Sequence, residues 1–241
     1  YSRDVFNIEQ VEIFKGPSGA DNGRGGSSGY INLSTKSPLL AEAYSGTLSY
    51  GSGEQKRLTA DLNQPLKFGE EGDWLNKSAL RLNGMWQDGG VPGRDFVENN
   101  RWAIAPSLAF GIGTPTRVVL SGSYLAQDSL PDSGLPTAAL SGGLAGGVNQ
   151  DNSYAIIGHD FDEVQSSRVN ARLEHDVNDA VTLRSQTAYT QTDRDALTSY
   201  FQNSATTPTT FNTTNAPINP GTGAVPGTYT TYDQVGGTVT P

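Results

Sequence analysis

An all-β fold is predicted for this 241-residue chain, and three observations carry it. Apolar residues recur with a period of two, no stretch shows a helical period, and the connections between alternating runs differ sharply in length. The clearest run is Ser167–Val177, SRVNARLEHDV. There Val169, Ala171, Leu173 and Val177 share one face, while Arg168, Asn170, Arg172, Glu174 and Asp176 share the other.

Seven such strands are expected between residues 45 and 191. Thr47–Tyr50 is a short first case. In the next, Leu58, Ala60 and Leu62 alternate with Arg57, Thr59, Asp61 and Asn63. Leu80, Leu82, Gly84 and Trp86 alternate with Arg81, Asn83, Met85 and Gln87. Trp102, Ile104, Leu108 and Phe110 alternate with Ala103, Ala105, Ser107 and Ala109; Pro106 interrupts this run, and a local bulge is expected there because proline gives no ladder hydrogen bond. Val118, Leu120 and Tyr124 alternate with Ser121, Ser123 and Gln127, the Ser167–Val177 run follows, and Val181–Tyr189 closes the series.

The expected connections are 51–55, 64–77, 87–100, 113–116, 127–165, 178–179 and everything beyond about Asp193. From the third onward they alternate long and short, as in an up-and-down barrel of an outer membrane; the first two depart from that order. Tyr124 and Tyr189 stand where their strands meet long loops, and Trp86 and Trp102 flank another, as an aromatic girdle requires. The same aromatics would equally fill the core of a β-sandwich. Beyond residue 203 the chain is rich in Thr, Pro, Gly and Asn without a sustained period, and reads as a long loop or tail.

Composition narrows the function. A net charge of −9 and a pI near 4.6 argue against nucleic-acid partners, which require clustered Lys and Arg. Without cysteine there are no disulfides, thiolate metal sites or cysteine catalysis. No apolar run approaches the ~18 residues of a membrane helix. Tyr1 opens in patterned sequence with no signal-peptide pattern. The glycine-rich stretch after Lys15 lacks the GxxxxGK[ST] order and a following helix, so it does not cradle a phosphate. His159 and His175 do not form a recognisable dyad. Asp160, Asp162 and Glu163 lack calcium-loop spacing and read as a solvated acidic loop. No catalytic residues, no metal site and no cofactor are expected; nothing points to an enzyme.

One stretch is specific. FNIEQVEIFKGPSGADNGRGGSSGYINLSTKSP resembles the C-terminal half of the plug domain of TonB-dependent outer-membrane receptors, with Ile8, Glu9, Val11, Glu12, Lys15, Gly16, Pro17, Gly23, Gly29, Ile31, Asn32, Thr35 and Lys36 in matching order. The variant DNGRGGSSGYINLSTK is most similar to the catecholate-siderophore branch. The resemblance implies a plug C-terminal half over 1–40, then the N-terminal strands and loops of a transmembrane antiparallel barrel over 41–241, out of a family total of about 22 strands. It implies a fragment of an energised receptor in the bacterial outer membrane, importing a ferric siderophore. Its partners would be that chelate, the TonB complex acting through a missing N-terminal segment, and outer-membrane lipid; iron would enter only as cargo.

The resemblance also implies site residues. Asp21, Asn22 and Arg24 would stand at the plug apex facing the ligand, and Arg24 is the only cation between Lys15 and Lys36. Glu9 and Glu12 would lie at the plug–barrel contact, with Arg81, Arg168 and Arg172 as candidate partners. Lys15, Gly16, Pro17, Gly23, Gly29 and Asn32 would shape the plug turn. Leu82 would face lipid and Asn83 the lumen, so an arginine should be far milder at 83 than at 82. Two other readings remain open: a secreted or surface β-sandwich that binds glycans, and a related receptor for cobalamin, a sugar or a heme-like cargo.

Overall fold

The computed structural model describes residues 4–17, 28–70, 73–132, 134–135, 148–201, 229–232 and 238–239. It contains a two-stranded hairpin and one large sheet. The hairpin is β1 (Ile8–Lys15) against β2 (Gly29–Thr35). The sheet is built from β3 (Ala43–Tyr50), β4 (Lys56–Leu66), β5 (Ser78–Asp88), β6 (Gly90–Val91), β7 (Arg94–Phe110), β8 (Thr116–Leu130), β9 (Phe161–Asn178), β10 (Val181–Phe201), β11 (Tyr229–Tyr232) and β12 (Thr238–Val239). Its order is β12-β11-β10-β9-β8-β7-β5-β4-β3, with β6 beside β7, and every pairing is antiparallel. Among the described residues the sole helical element is a 3-10 turn at Trp74–Asn76.

The sheet is inverted relative to a water-soluble protein. Leu58, Leu80, Trp86, Trp102, Ile104, Leu120, Val169, Leu173, Leu183 and Tyr189 are exposed on one face. Asn63, Arg81, Asn83, Ala103, Ala105, Ser107 and Ala109 are buried on the other. The register explains the sorting: Leu62, Leu82 and Pro106 align across three strands on the apolar face, and Asp61, Asn83 and Ala105 align on the polar face. No second sheet covers the apolar side among the described residues, which removes the sandwich reading. A closed barrel is the antiparallel arrangement that tolerates such a face, because lipid covers it and every backbone group is paired within the sheet.

Strand lengths depart from expectation. The expected 87–100 loop is a tight connection, since β5 runs to Asp88 and β7 starts at Arg94. The 127–165 loop loses both ends to β8 and β9, and β10 continues to Phe201. Part of the expected tail is strand as well: Tyr229–Tyr232 pairs with Thr198–Phe201, in keeping with the strand preference of Tyr and Thr. Trp102, Tyr124 and Tyr189 therefore stand mid-strand, while Trp86 stays near the end of β5. Trp86 lies directly opposite Trp102, and the Trp102 and Tyr124 rings sit 5.2 Å apart. Past Tyr189 the outer face of β10 turns polar, with Gln191, Asp193 and Asp195. The girdle marks where lipid ends, and the sheet rises beyond it. At the opposite rim Trp74 stacks on Phe110 at 5.9 Å. From Trp102 to Phe110 is eight strand steps, roughly 26 Å along the strand and about 20 Å once tilted, close to the height of a barrel's apolar band.

Pro106 makes no bulge. Pairing between β7 and β8 lapses at Ala105 and Pro106 and resumes at Ser107 in the same register. The residue facing the ring is Gly122, where a Cβ would sit at ordinary van der Waals contact, 3.8 Å from Pro106 Cγ.

The sorting of faces generates a test. In the whole protein Leu82→Arg should impair assembly by about 2–4 kcal/mol, the cost of a charge near the bilayer midplane. Ser123→Arg, on the inner wall, should assemble nearly as the wild type. Heat-modifiability on gels reads both, and equal damage would refute the assigned facing.

Candidate functional site

The inner face of β4, β5 and β7 is a polar wall, and period-two geometry places Arg57, Asp61, Asn63, Arg81, Asn83, Gln87 and Arg101 on it together. Both stems of the β1–β2 hairpin are tied to this wall. On the inbound stem, Asp4 accepts from Arg57 Nη1 at 2.9 Å and Nη2 at 2.7 Å, and Arg101 Nη2 lies 3.4 Å away. Gln87 Oε1 accepts from Arg57 at 2.8 Å and Arg101 at 3.1 Å, holding the two guanidinium groups side by side. The Asp4 side chain is only 3% exposed. It also accepts from the Phe6 amide at 3.0 Å, which fixes the bend into β1.

The outbound stem is held by a second cluster. Lys36 Nζ lies 3.0 Å from Asp61 and donates to Phe6 O and to Asn83 Oδ1. Arg81 forks onto both Asp61 oxygens at 2.8 Å each and donates to Ser37 O at 2.8 Å. Asn63, fully buried, then reads the chain backbone: it accepts from Leu39 N and donates to Leu39 O and Ala41 O. Lys36 N to Asn7 O, at 2.9 Å, ties the two stems to each other. The result is a hairpin pinned at its base inside a charged wall.

Comparison with known proteins gives this arrangement a place. No family model matches the chain. The catecholate siderophore receptor Fiu of Escherichia coli (strain K12) is 38% identical over 207 residues, 81% of this chain and 26% of that protein. The probable TonB-dependent siderophore receptor PiuA of Acinetobacter baumannii is 33% identical over 199 residues, 80% of this chain and 26% of that protein. The crystal structure of the ferric-catecholate import receptor Fiu from E. coli K12, in its open form, matches with a TM-score of 0.74 at 35% identity, covering 85% of this chain and 32% of that chain. The chain is homologous to the TonB-dependent siderophore receptors. It spans about a quarter of the length of the curated relatives it matches. The sheet is thus a run of strands of an outer-membrane β-barrel, and the hairpin on its polar side is plug.

Within that receptor frame the sequence-derived residues fall into distinct places. Asp21, Asn22, Gly23 and Arg24 lie outside the described residues. Lys15 ends β1 and pairs with Gly29, while Gly16, with φ +94°, and Pro17 follow. Gly29 has no substitute: its φ is +114°, and a Cβ there would lie 2.0 Å from Phe14 O. Asn32 donates to Glu12 at 2.7 Å, so that carboxylate is engaged within the hairpin, together with Gln10. Arg81 is engaged by Asp61 and Ser37, with Glu9 near enough to act on it electrostatically. Glu9, Arg168 and Arg172 line one cleft of about 710 Å³ between hairpin and wall. Among the described residues neither glutamate forms an ion pair with a barrel arginine.

The clamps that do form rest on residues not singled out as site residues from the sequence: Asp4, Lys36, Arg57, Asp61, Asn63 and Arg101. Arg57, Asp61 and Asn63 were legible as charges and amides on the polar side of the alternation, and Lys36 as the end of the plug motif; Asp4 carried no signal. Asn83 is corrected too. It is 2% exposed and accepts from Lys36, so an arginine there would not be mild.

The acidic run after His159 is not a solvated loop. Asp160 is buried and accepts from Ile156 N, Ser199 N and Ser199 Oγ, which pins the β8–β9 connection to β10. Asp162 pairs with Arg194 across β9 and β10. The other end of that connection is gripped by Arg94, which donates to Asp132 at 2.9 Å and to Gln150 O at 2.7 Å. Burial pushes the Asp132 carboxyl up, but Arg94 and the Gly134 amide outweigh it and hold it below its ordinary value.

Asp4 yields a pH prediction. Burial raises its pKa, while the Arg57 hydrogen bonds and the field of Arg57 and Arg101 lower it by more, so it titrates below its ordinary 3.8. A depressed carboxyl stabilises the docked state above that value and loses the contribution as pH falls through the folded value. Protection of the Phe6–Val11 amides, taken as the exchange rate relative to the intrinsic rate at the same pH, should therefore fall below about pH 4 in the wild type. In Asp4→Asn it should already be low at neutral pH and nearly constant across that window. A parallel acid response in both proteins would show that Asp4 is not the titrating group.

Proposed function

We propose that this chain forms part of a receptor that imports a ferric catecholate siderophore across the outer membrane, driven by TonB. The observation that carries the proposal is the ion-clamped plug hairpin inside an inverted sheet, in a chain 38% identical over most of its length to a catecholate siderophore receptor. The inner wall is built to hold a plug and the outer face to meet lipid. Nothing among the described residues gathers three metal-ligating side chains, and iron enters in this reading as chelated cargo. The protein works by binding and moving that cargo, not by transforming it.

The hairpin's far end is assigned to ligand contact. The resemblance to receptor plugs supports giving this role to the residues that join its two strands, Asp21, Asn22 and Arg24 among them. Arg24 is the sole cation of that connection, and a guanidinium offers five fixed donors to oxygens that carry the chelate's negative charge. Glu9, Arg168 and Arg172, facing one cleft, are assigned to plug–barrel attraction at longer range than the two clamps.

The test uses the whole receptor, purified in detergent, with a ferric catecholate as ligand and tryptophan quenching as readout. Arg24→Ala should weaken binding about tenfold, and Arg24→Lys should restore only part of it. Unchanged affinity in Arg24→Ala would remove the apex from recognition. Uptake of the same chelate should also vanish in cells lacking TonB; uptake that persists there would sink the energised-receptor reading.

A further inference from the structure

Above the girdle, the inner faces of β7 and β8 carry four polar atoms in one patch. Asn99 stands opposite Ser129, and Arg101 stands opposite Gln127, two steps along the same face. Asn99 Oδ1, Arg101 Nε, Gln127 Oε1 and Ser129 Oγ are all buried, and none has a partner among the described residues. Val97 and Ala103 flank the patch on β7 and Val164 lies opposite Gln127 on β9, while Asp162, already paired with Arg194, lies opposite Ser129 and Gln87 lies opposite Arg101. The β8–β9 connection reaches the top of the same wall, where the Asp95 amide donates to Asp151 O at 2.6 Å. Just beyond it Asn152 is fully buried with both side-chain polar atoms unpartnered.

We infer that this patch is a bound-water site. The set of groups selects the ligand. Two amide oxygens need donors, one guanidinium N–H needs an acceptor, and the Ser129 hydroxyl takes either role. A group that donates and accepts at once satisfies all four, and water is the smallest that does. The oxygens of a ferric catecholate or a carboxylate only accept; they would pair with Arg101 but face the two amide oxygens without a proton between them. Dry closure over four unpaired polar atoms is disfavoured far more than holding an ordered water.

Arg101 gives the site its reach. The same guanidinium touches Gln87 and the plug residue Asp4 through Nη2, so water on Nε joins the patch to the inbound clamp. The site is independent of which cargo the receptor takes.

Two measurements on the whole protein, without ferric ligand, decide it. A crystal structure fine enough to show solvent should place an ordered water within hydrogen-bond distance of Arg101 Nε and Gln127 Oε1. Side chains turned to pair directly with each other, or an anion in that place, would overturn the inference. Gln127→Met, close in shape but without the amide, should lower the thermal midpoint of heat-modifiability by a few degrees, because a bridging water loses an anchor. A rise would mean that a dry, unpaired carbonyl had been relieved, and the site would be lost as a water site. Should Gln127→Met fail to assemble, Ser129→Ala gives the same reading with the same signs.

Discussion

Everything in this structure follows from where the backbone hydrogen bonds go. In hydrocarbon an unpaired amide or carbonyl costs several kcal/mol, so the strands must pair with one another along their full length. Once they do, period-two geometry hands one face to lipid and the other to the interior. The lipid face takes the leucines, valines and tryptophans, and the interior receives Arg57, Asp61, Arg81 and Arg101. The wall that a plug meets is therefore charged by necessity. Ions and hydrogen bonds are accordingly prominent where the hairpin meets this wall.

The hairpin shows that this is what happens. Val11, Ile13 and Ile31 remain 52%, 65% and 65% exposed, so apolar burial against the described wall contributes little to its position. Asp4 and Lys36 bear the load instead. Ion pairs of this kind, largely removed from water, roughly repay their own desolvation and add little net stability. What they contribute is register. Asp4 sits between two guanidinium groups spaced by Gln87, and Asn63 reads three backbone groups of the outbound stem. Breaking one partner is costly even where making the pair gains little, because the other is left charged and buried. The two stems also differ in kind. The inbound stem hangs on one carboxylate, whereas the outbound stem combines Lys36, Asp61 and Arg81 with backbone bonds to Asn63.

How far this was legible from sequence depended on lipid. Inside the apolar band the alternation is sharp, and each strand there was found with its faces correctly sorted. Above the band both faces of a strand are wet, as with Asp193 and Asp195 outside and Arg194 inside on β10, and hydropathy no longer marks a strand. That is why β7, β8, β9 and β10 each extend well past the expected ends. Gly29 was visible as part of a glycine-rich turn because its constraint is local. The Asp4 and Lys36 clamps were not, because their partners lie 53 and 25 residues away in sequence and only the closed sheet brings them together. Pro106 misled for a different reason: its missing N–H costs a local lapse in the β7–β8 pairing, and the register continues past it without a bulge.

The longest consequence of the raised sheet lies in β7. Its upper end carries Arg94, which grips both sides of the β8–β9 connection; its middle carries Asn99 and Arg101 beneath the point where that connection meets the wall; and Arg101 reaches Asp4 on the plug. One continuous strand, paired to β6 at Arg94 and Glu98, to β8 from Glu98 and to β5 from Arg101, thus touches the β8–β9 connection, a buried polar patch and the plug clamp. A paired strand transmits displacement poorly by bending and well by changing which side-chain contacts it makes. Arg101 is the residue with such a choice: Arg57 already satisfies both oxygens of Asp4, and Arg101 holds the same carboxylate at a looser 3.4 Å. The inbound stem can lose that second guanidinium and stay anchored.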